Sequence, residues 1–108
     1  MAAREIGIDE AAERLAGGRV RLVDCREEEE FAICRIDGAE LIPLSVFGYE
    51  ATSKLGDRDQ EIIIYCHHGM RSLTAARYLA ERGYSNVASM AGGIDAWAHR
   101  REPEMTRY

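Results

Sequence analysis

Glu61-Ile62-Ile63-Ile64-Tyr65 runs straight into Cys66-His67-His68-Gly69-Met70-Arg71, and Ser72-Leu73-Thr74-Ala75-Ala76-Arg77-Tyr78-Leu79-Ala80-Glu81-Arg82 follows before Gly83. The first segment is a continuous β-branched run with no polar alternation, which predicts a strand buried on both faces, as in a parallel sheet. The last segment spaces its apolar residues for a helix and has glycine in the stop position. The order is therefore strand, tight loop, helix, with a cysteine at the strand's C-terminal end. In α/β proteins that edge binds ligands, and the helix after it aims its first N–H groups back at the loop.

The flanking sequence repeats the alternation. Asp9 as N-cap, Glu10 to Ala16 and then Gly17-Gly18 predict a short helix, and Val20-Arg21-Leu22-Val23 a strand. Asp24-Cys25-Arg26 stands at the end of that strand, before the helix-favouring run Glu27 to Phe31. Leu41-Ile42 is a short apolar run stopped by Pro43, and Leu44 to Leu55 reads as either helix or loop. Asn86 to Met90 supplies another strand, and Ala91-Gly92-Gly93 leads into a last helix around Ile94 to Arg100. The pattern predicts an α/β fold, a mainly parallel sheet flanked by helices. One domain over residues 1–108 is expected, with a core from about 9 to 99 and a loosely ordered tail from Arg101 to Tyr108 that carries Pro103.

Of the 108 residues, 46% are apolar and 31% charged, which suits a compact core. The net charge of -5 argues against a nucleic-acid partner, since such modules gather basic residues. Apolar runs are far shorter than the ~20 residues needed to span a bilayer, and Met1-Ala2-Ala3-Arg4-Glu5 leads into no apolar signal region, so neither a membrane nor a secretory route is expected. Cys25, Cys34 and Cys66 form no C-x-x-C pair and no disulfide framework, which predicts free thiols, no zinc site and a cytoplasmic location.

A free cysteine is most often a small buried hydrophobe. That reading suits Cys25, which alternates with Leu22 and Val23, and Cys34, which ends an apolar stripe. Cys66 is different, because a strand end, a glycine loop, Arg71 and a helix N-terminus converge on it, and such surroundings lower a thiol pKa. Gly69 allows the tight curl that would turn loop N–H groups onto an anion. Arg71 can contact an anionic substrate or brace the loop. His67 and His68 can add charge or hydrogen bonds at the mouth, or can simply be solvated. Asp24 and Arg26 read as a stabilising network beside the site, and Trp97 as core.

The loop Cys66-His67-His68-Gly69-Met70-Arg71-Ser72 resembles the active-site loop of the rhodanese family. Leu22-Val23-Asp24-Cys25-Arg26 with Glu29-Glu30-Phe31, Ile36-Asp37-Gly38-Ala39 with Ile42-Pro43-Leu44, and Gly92-Gly93-Ile94 with Trp97 resemble further family segments in the family's order. Arg35, Asp37 and Cys25 depart from its common residues, all outside the loop. The resemblance implies a doubly wound α/β domain that needs no cofactor. It implies a sulfurtransferase that takes sulfane sulfur from a donor such as thiosulfate, holds it on Cys66 as a persulfide, and passes it to a thiophilic acceptor. Catalysis would fall to Cys66, substrate binding to His67, His68, Gly69, Met70 and Arg71, and support to Asp24, Arg26 and Ser72. Thiosulfate, a cysteine-derived persulfide, cyanide, glutathione and a thioredoxin-like protein are the candidate donors and acceptors.

Two other readings compete. Phosphatases and arsenate reductases related to the family carry a longer C-x5-R loop, whereas Cys66 to Arg71 is C-x4-R, a cradle too small for phosphate around the sulfur. Partner-binding modules of the same family typically lack the cysteine that is present here.

Overall fold

The computed structural model describes residues 3–108. Among them, five parallel strands form one sheet in the order β1-β5-β4-β2-β3. They are β1 (Arg4–Ile6), β2 (Arg21–Asp24), β3 (Glu40–Leu41), β4 (Ile62–Tyr65) and β5 (Val87–Met90). The helices are α1 (Ile8–Ala16), α2 (Glu28–Ile33), α3 (Phe47–Leu55, entered through a 3-10 turn at Leu44–Val46), α4 (Met70–Glu81) and α5 (Gly93–Arg101). None is long and apolar enough among these residues to cross a membrane.

The isoleucine run sits centrally, as its lack of alternation requires. All four β4 residues are fully buried, and their side chains part by the two-residue period of a strand. Ile62, Ile64 and then Cys66 pack with α3 and α4, in a core that also holds Val23, Cys25, Phe47, Ala51, Ala76 and Leu79. Ile63 and Tyr65 point the other way, into a core with Ile8 and Ala11 of α1 and Ile94 and Trp97 of α5. Helices thus cover both faces of a fully parallel sheet.

Three elements differ from their sequence signals. Strand β1 was not foreseen: it has three residues, two of them exposed, and exists because β5 pairs with it. Helix α1 starts two residues earlier than expected, with Gly7 rather than Asp9 as its cap, because Ile8 is drawn into the core while Asp9 pairs with Arg100. Helix α4 begins at Met70 rather than Ser72, directly behind Gly69.

At the end of β2 the Asp24 carboxylate accepts the Arg26 backbone N–H at 2.9 Å and the guanidinium through Nε (3.0 and 3.1 Å) and Nη2 (2.7 Å). Both side chains are fully buried. Arg26 also donates to the carbonyl of Cys34 beyond α2 and, at 2.8 Å, to the Tyr108 hydroxyl. A buried guanidinium stripped of its carboxylate is an uncompensated charge, and breaking such a pair costs about 3–5 kcal/mol. Asp24→Ala is therefore expected to lower unfolding stability by that amount in urea titration, far more than Asp9→Ala, which removes only an exposed pair.

Candidate active site

Cys66 follows β4 directly, and a six-residue loop, Cys66 to Arg71, turns the chain into α4. Gly69 takes φ +110°, a conformation that a side chain would strain, and so caps α4 while closing the loop. The Gly69 N–H donates to Cys66 Sγ at 3.0 Å and the Ser72 N–H at 3.3 Å. Ser72 Oγ lies 3.4 Å from the sulfur and 2.7 Å from Ser89 Oγ. The N–H groups of His67, His68, Met70 and Arg71 meet no acceptor among the described residues, which leaves a ring of free donors at the positive end of a helix.

Cys25 stands beside this sulfur. The β2–β4 pairing sets Asp24 against Tyr65, and the Cys25 N–H donates to the Tyr65 carbonyl at 3.0 Å, carrying the ladder one step further. A hydrogen bond from the Cys25 thiol is the largest influence on Cys66; with the Ser72 hydroxyl and the Ser72 and Gly69 N–H groups it overcomes burial and brings the Cys66 pKa down to about 4. The Cys25 thiol is correspondingly pushed up, because it must keep its proton to donate. An ionised sulfur has no proton to give, so Ser72 is the donor in its pair with Cys66.

The other predicted residues fall in distinct places. Arg71 is held bidentately by Glu30, at 2.7 and 2.9 Å, an arrangement that braces the loop against α2. That contact, reinforced by Tyr108 and the Glu27 N–H, takes the Glu30 pKa down to about 2. His67 stacks on Tyr108 with centroids 4.0 Å apart, and burial lowers its pKa. The His68 side chain is mostly in solvent, and Met70 is 77% exposed at the rim. Asp24 and Arg26 touch the site only through Tyr108 and the shared strand end. Tyr108 itself bridges Arg26 and Glu30, so the tail, for which the sequence offers no ordering signal, reaches the site. His67, His68 and Asp95 could offer ligand atoms to a metal ion, all within 4.8 Å of one another, but Asp95 is already engaged by Arg107 at 2.8 Å.

Gly92-Gly93 contributes what sequence reading did not assign. The N–H groups of Ile94 and Asp95, at the start of α5, donate to the Cys66 and His67 carbonyls at 2.8 and 3.1 Å. A Cβ at Gly93 would overlap both carbonyls, and Gly93 has φ +62°.

The sequence pattern of the rhodanese-like domain matches residues 7–100. The chain belongs to that family. It is 38% identical to thiosulfate sulfurtransferase GlpE of Haemophilus influenzae over 109 residues, an alignment that takes in all of both chains. It is 37% identical over 94 residues to the probable adenylyltransferase/sulfurtransferase MoeZ of Mycobacterium tuberculosis, of which it spans only 24%. Among solved structures, a human single-domain sulfurtransferase superposes with a TM-score of 0.80 at 28% identity, over 93% of this chain and 99% of that one. A rhodanese-related protein from Thermoplasma volcanium gives 0.81, also at 28%, over 93% and 95%.

Two outcomes follow from this geometry. With a Cys66 pKa of about 4, alkylation of Cys66 by iodoacetamide is expected to run at constant rate from pH 8 down to about pH 5, and to fall as the thiolate is protonated below that. A titration midpoint above pH 7 would contradict the donor arrangement. Gly93→Ala is expected to cost at least about 1–3 kcal/mol from backbone strain alone. It should also slow Cys66 alkylation in the folded variant by displacing the loop.

Proposed function

We propose that the chain is a sulfurtransferase that carries sulfane sulfur on Cys66 and uses thiosulfate as a donor. The observation that carries this reading is a sulfur held by two N–H groups inside a six-residue loop with four further N–H groups unpartnered, an arrangement that lowers its pKa. The Cys66 thiolate attacks the outer sulfur of thiosulfate, the sulfur–sulfur bond of the donor breaks, and sulfite leaves with its electron pair. The persulfide anion that remains has its charge on the outer sulfur, one bond further into the loop, where the free N–H groups can receive it. A thiophilic acceptor such as cyanide, a small thiol or a thioredoxin-like protein then attacks that outer sulfur, and Cys66 departs again as the thiolate. The low pKa suits both steps, since the same sulfur is nucleophile in one and leaving group in the other.

Arg71 supports the reading as a brace. Its pairing with Glu30 leaves the loop N–H groups as the chief attraction for the donor's charge. The sulfurtransferase names borne by the two curated relatives and by the human single-domain structure agree with this chemistry. The short loop opposes phosphoryl transfer, because a six-residue cradle leaves little room for a tetrahedral oxyanion beside the sulfur.

Mixing the protein with thiosulfate and no acceptor should release about one equivalent of sulfite and add one sulfur atom to the peptide containing Cys66, by mass spectrometry. Cys66→Ser should give neither while keeping its fold by circular dichroism. Efficient hydrolysis of an aryl phosphate, with no response to thiosulfate, would overturn the proposal.

A further inference from the structure

Cys25 supplies a second sulfur to the site, and the transfer cycle uses it only as a hydrogen-bond donor. Strands β2 and β4 are parallel and in register, and the bond from Cys25 N–H to the Tyr65 carbonyl brings Cys25 level with Cys66 one residue past both strands. Neighbouring strands lie about 4.8 Å apart, inside the roughly 4.4–6.8 Å between Cα atoms that a disulfide spans. Both side chains point to the same face, in the core that Val23, Ile62 and Ile64 share. Both are buried, at 0% and 1% exposure, so Cys25 meets a group carried on Cys66 more readily than it meets an outside thiol.

Direction matters as much as distance. The Gly69 and Ser72 N–H groups approach Sγ from the α4 side, and Cys25 from the β2 side. A sulfur atom added to Cys66 and held by the loop leaves the inner sulfur beside the strand that carries Cys25.

We infer that Cys25 is a resolving thiol, which attacks the inner sulfur of a Cys66 persulfide, expels the outer sulfur as hydrosulfide and closes a Cys25–Cys66 disulfide. The inference rests on the persulfide reading above. A new bond forms between Cys25 Sγ and Cys66 Sγ, and the bond from Cys66 Sγ to the outer sulfur breaks, its electron pair leaving with the outer sulfur. The proton of the Cys25 thiol leaves with it, as HS−. The persulfide is itself the oxidant: its outer sulfur is reduced to sulfide while the two cysteine sulfurs become a disulfide. A dithiol reductant returns both thiols, so that thiosulfate and a dithiol yield sulfite, sulfide and the oxidised dithiol.

The charge distribution explains why this step waits for loading. While Cys66 is a thiolate, a second negative sulfur beside it is opposed, and Cys25 keeps its proton. In the persulfide the negative charge has moved to the outer sulfur, and that constraint on Cys25 is relieved. The carrier therefore discharges sulfur as sulfide when no acceptor arrives.

The test loads the protein with thiosulfate, removes excess donor and follows the chain without acceptor, beside Cys25→Ser, which keeps a hydroxyl donor, and Cys25→Val, which fills the space. The wild type should lose its added sulfur at a rate independent of protein concentration, release about one equivalent of sulfide, and yield a peptide pair linked through Cys25 and Cys66; both variants should hold the persulfide roughly tenfold longer or more. If the wild type releases its burst of sulfite but keeps the persulfide as long as the variants do, with no linked peptides, the inference is overturned and the sulfurtransferase reading stands. If no sulfite is released and no sulfur is added, that reading falls, and this one with it.

Discussion

The register of β4 between β2 and β5 governs everything at the site. Its ladder sets Ile64 against Val23 on one side and Ser89 on the other, and the two-residue period then sends Cys66 to the α3–α4 face. A slip by one residue would turn every β4 side chain over. The sulfur would enter the core between α1 and α5, away from Ser72, Ser89 and Cys25. The same register puts Asp24 and Arg26 at a neighbouring strand end, where they anchor α2 and Tyr108. Burial on both faces makes that register costly to change, so the unbroken isoleucine run secures the chemistry as well as the core.

The anionic sulfur is stabilised almost without net charge. Arg26 is spent on Asp24 and Arg71 on Glu30, so the cations nearest the loop are already paired. What lowers the Cys66 pKa is hydrogen bonding from Cys25, Ser72 and Gly69. A chain with a net charge of -5 can hold a thiolate in this way because oriented N–H and S–H groups act over one bond length, whereas overall charge is screened by solvent within roughly 8–10 Å. Dipoles fixed by the backbone would also have no need to reorganise in the proposed cycle, where charge moves from the thiolate to an added sulfur.

The parts legible in the sequence are those whose cause is local. The strand at Ile62–Tyr65, the glycine at position 69 and the helix behind it each follow from a few adjacent residues, and the family resemblance extended that reading to the loop. What escaped depends on partners far along the chain. Strand β1 needs β5, and the bracing of Arg71 needs Glu30, 41 residues away. Cys25 reads as a core residue, and it is one; its position beside Cys66 is a fact of strand pairing, which residue types along one segment cannot express. Leu44 to Leu55 was indeterminate because Pro43 signals an interruption without saying that a 3-10 turn will lead into a helix.

The double glycine shows how the loop's donors come to face inward. A peptide unit is planar and trans, so the carbonyl of one residue and the N–H of the next point in opposite directions. The start of α5 takes the Cys66 and His67 carbonyls as acceptors, and this turns the His67 and His68 N–H groups away from α5. The contact demands a backbone approach that only glycine permits at position 93. Helix α5 therefore acts on the site without touching the sulfur: its first turn binds the outside of the loop and orients the inside. Two helix N-termini serve one cysteine, with α4 donating to the sulfur and α5 holding the peptides that complete the ring.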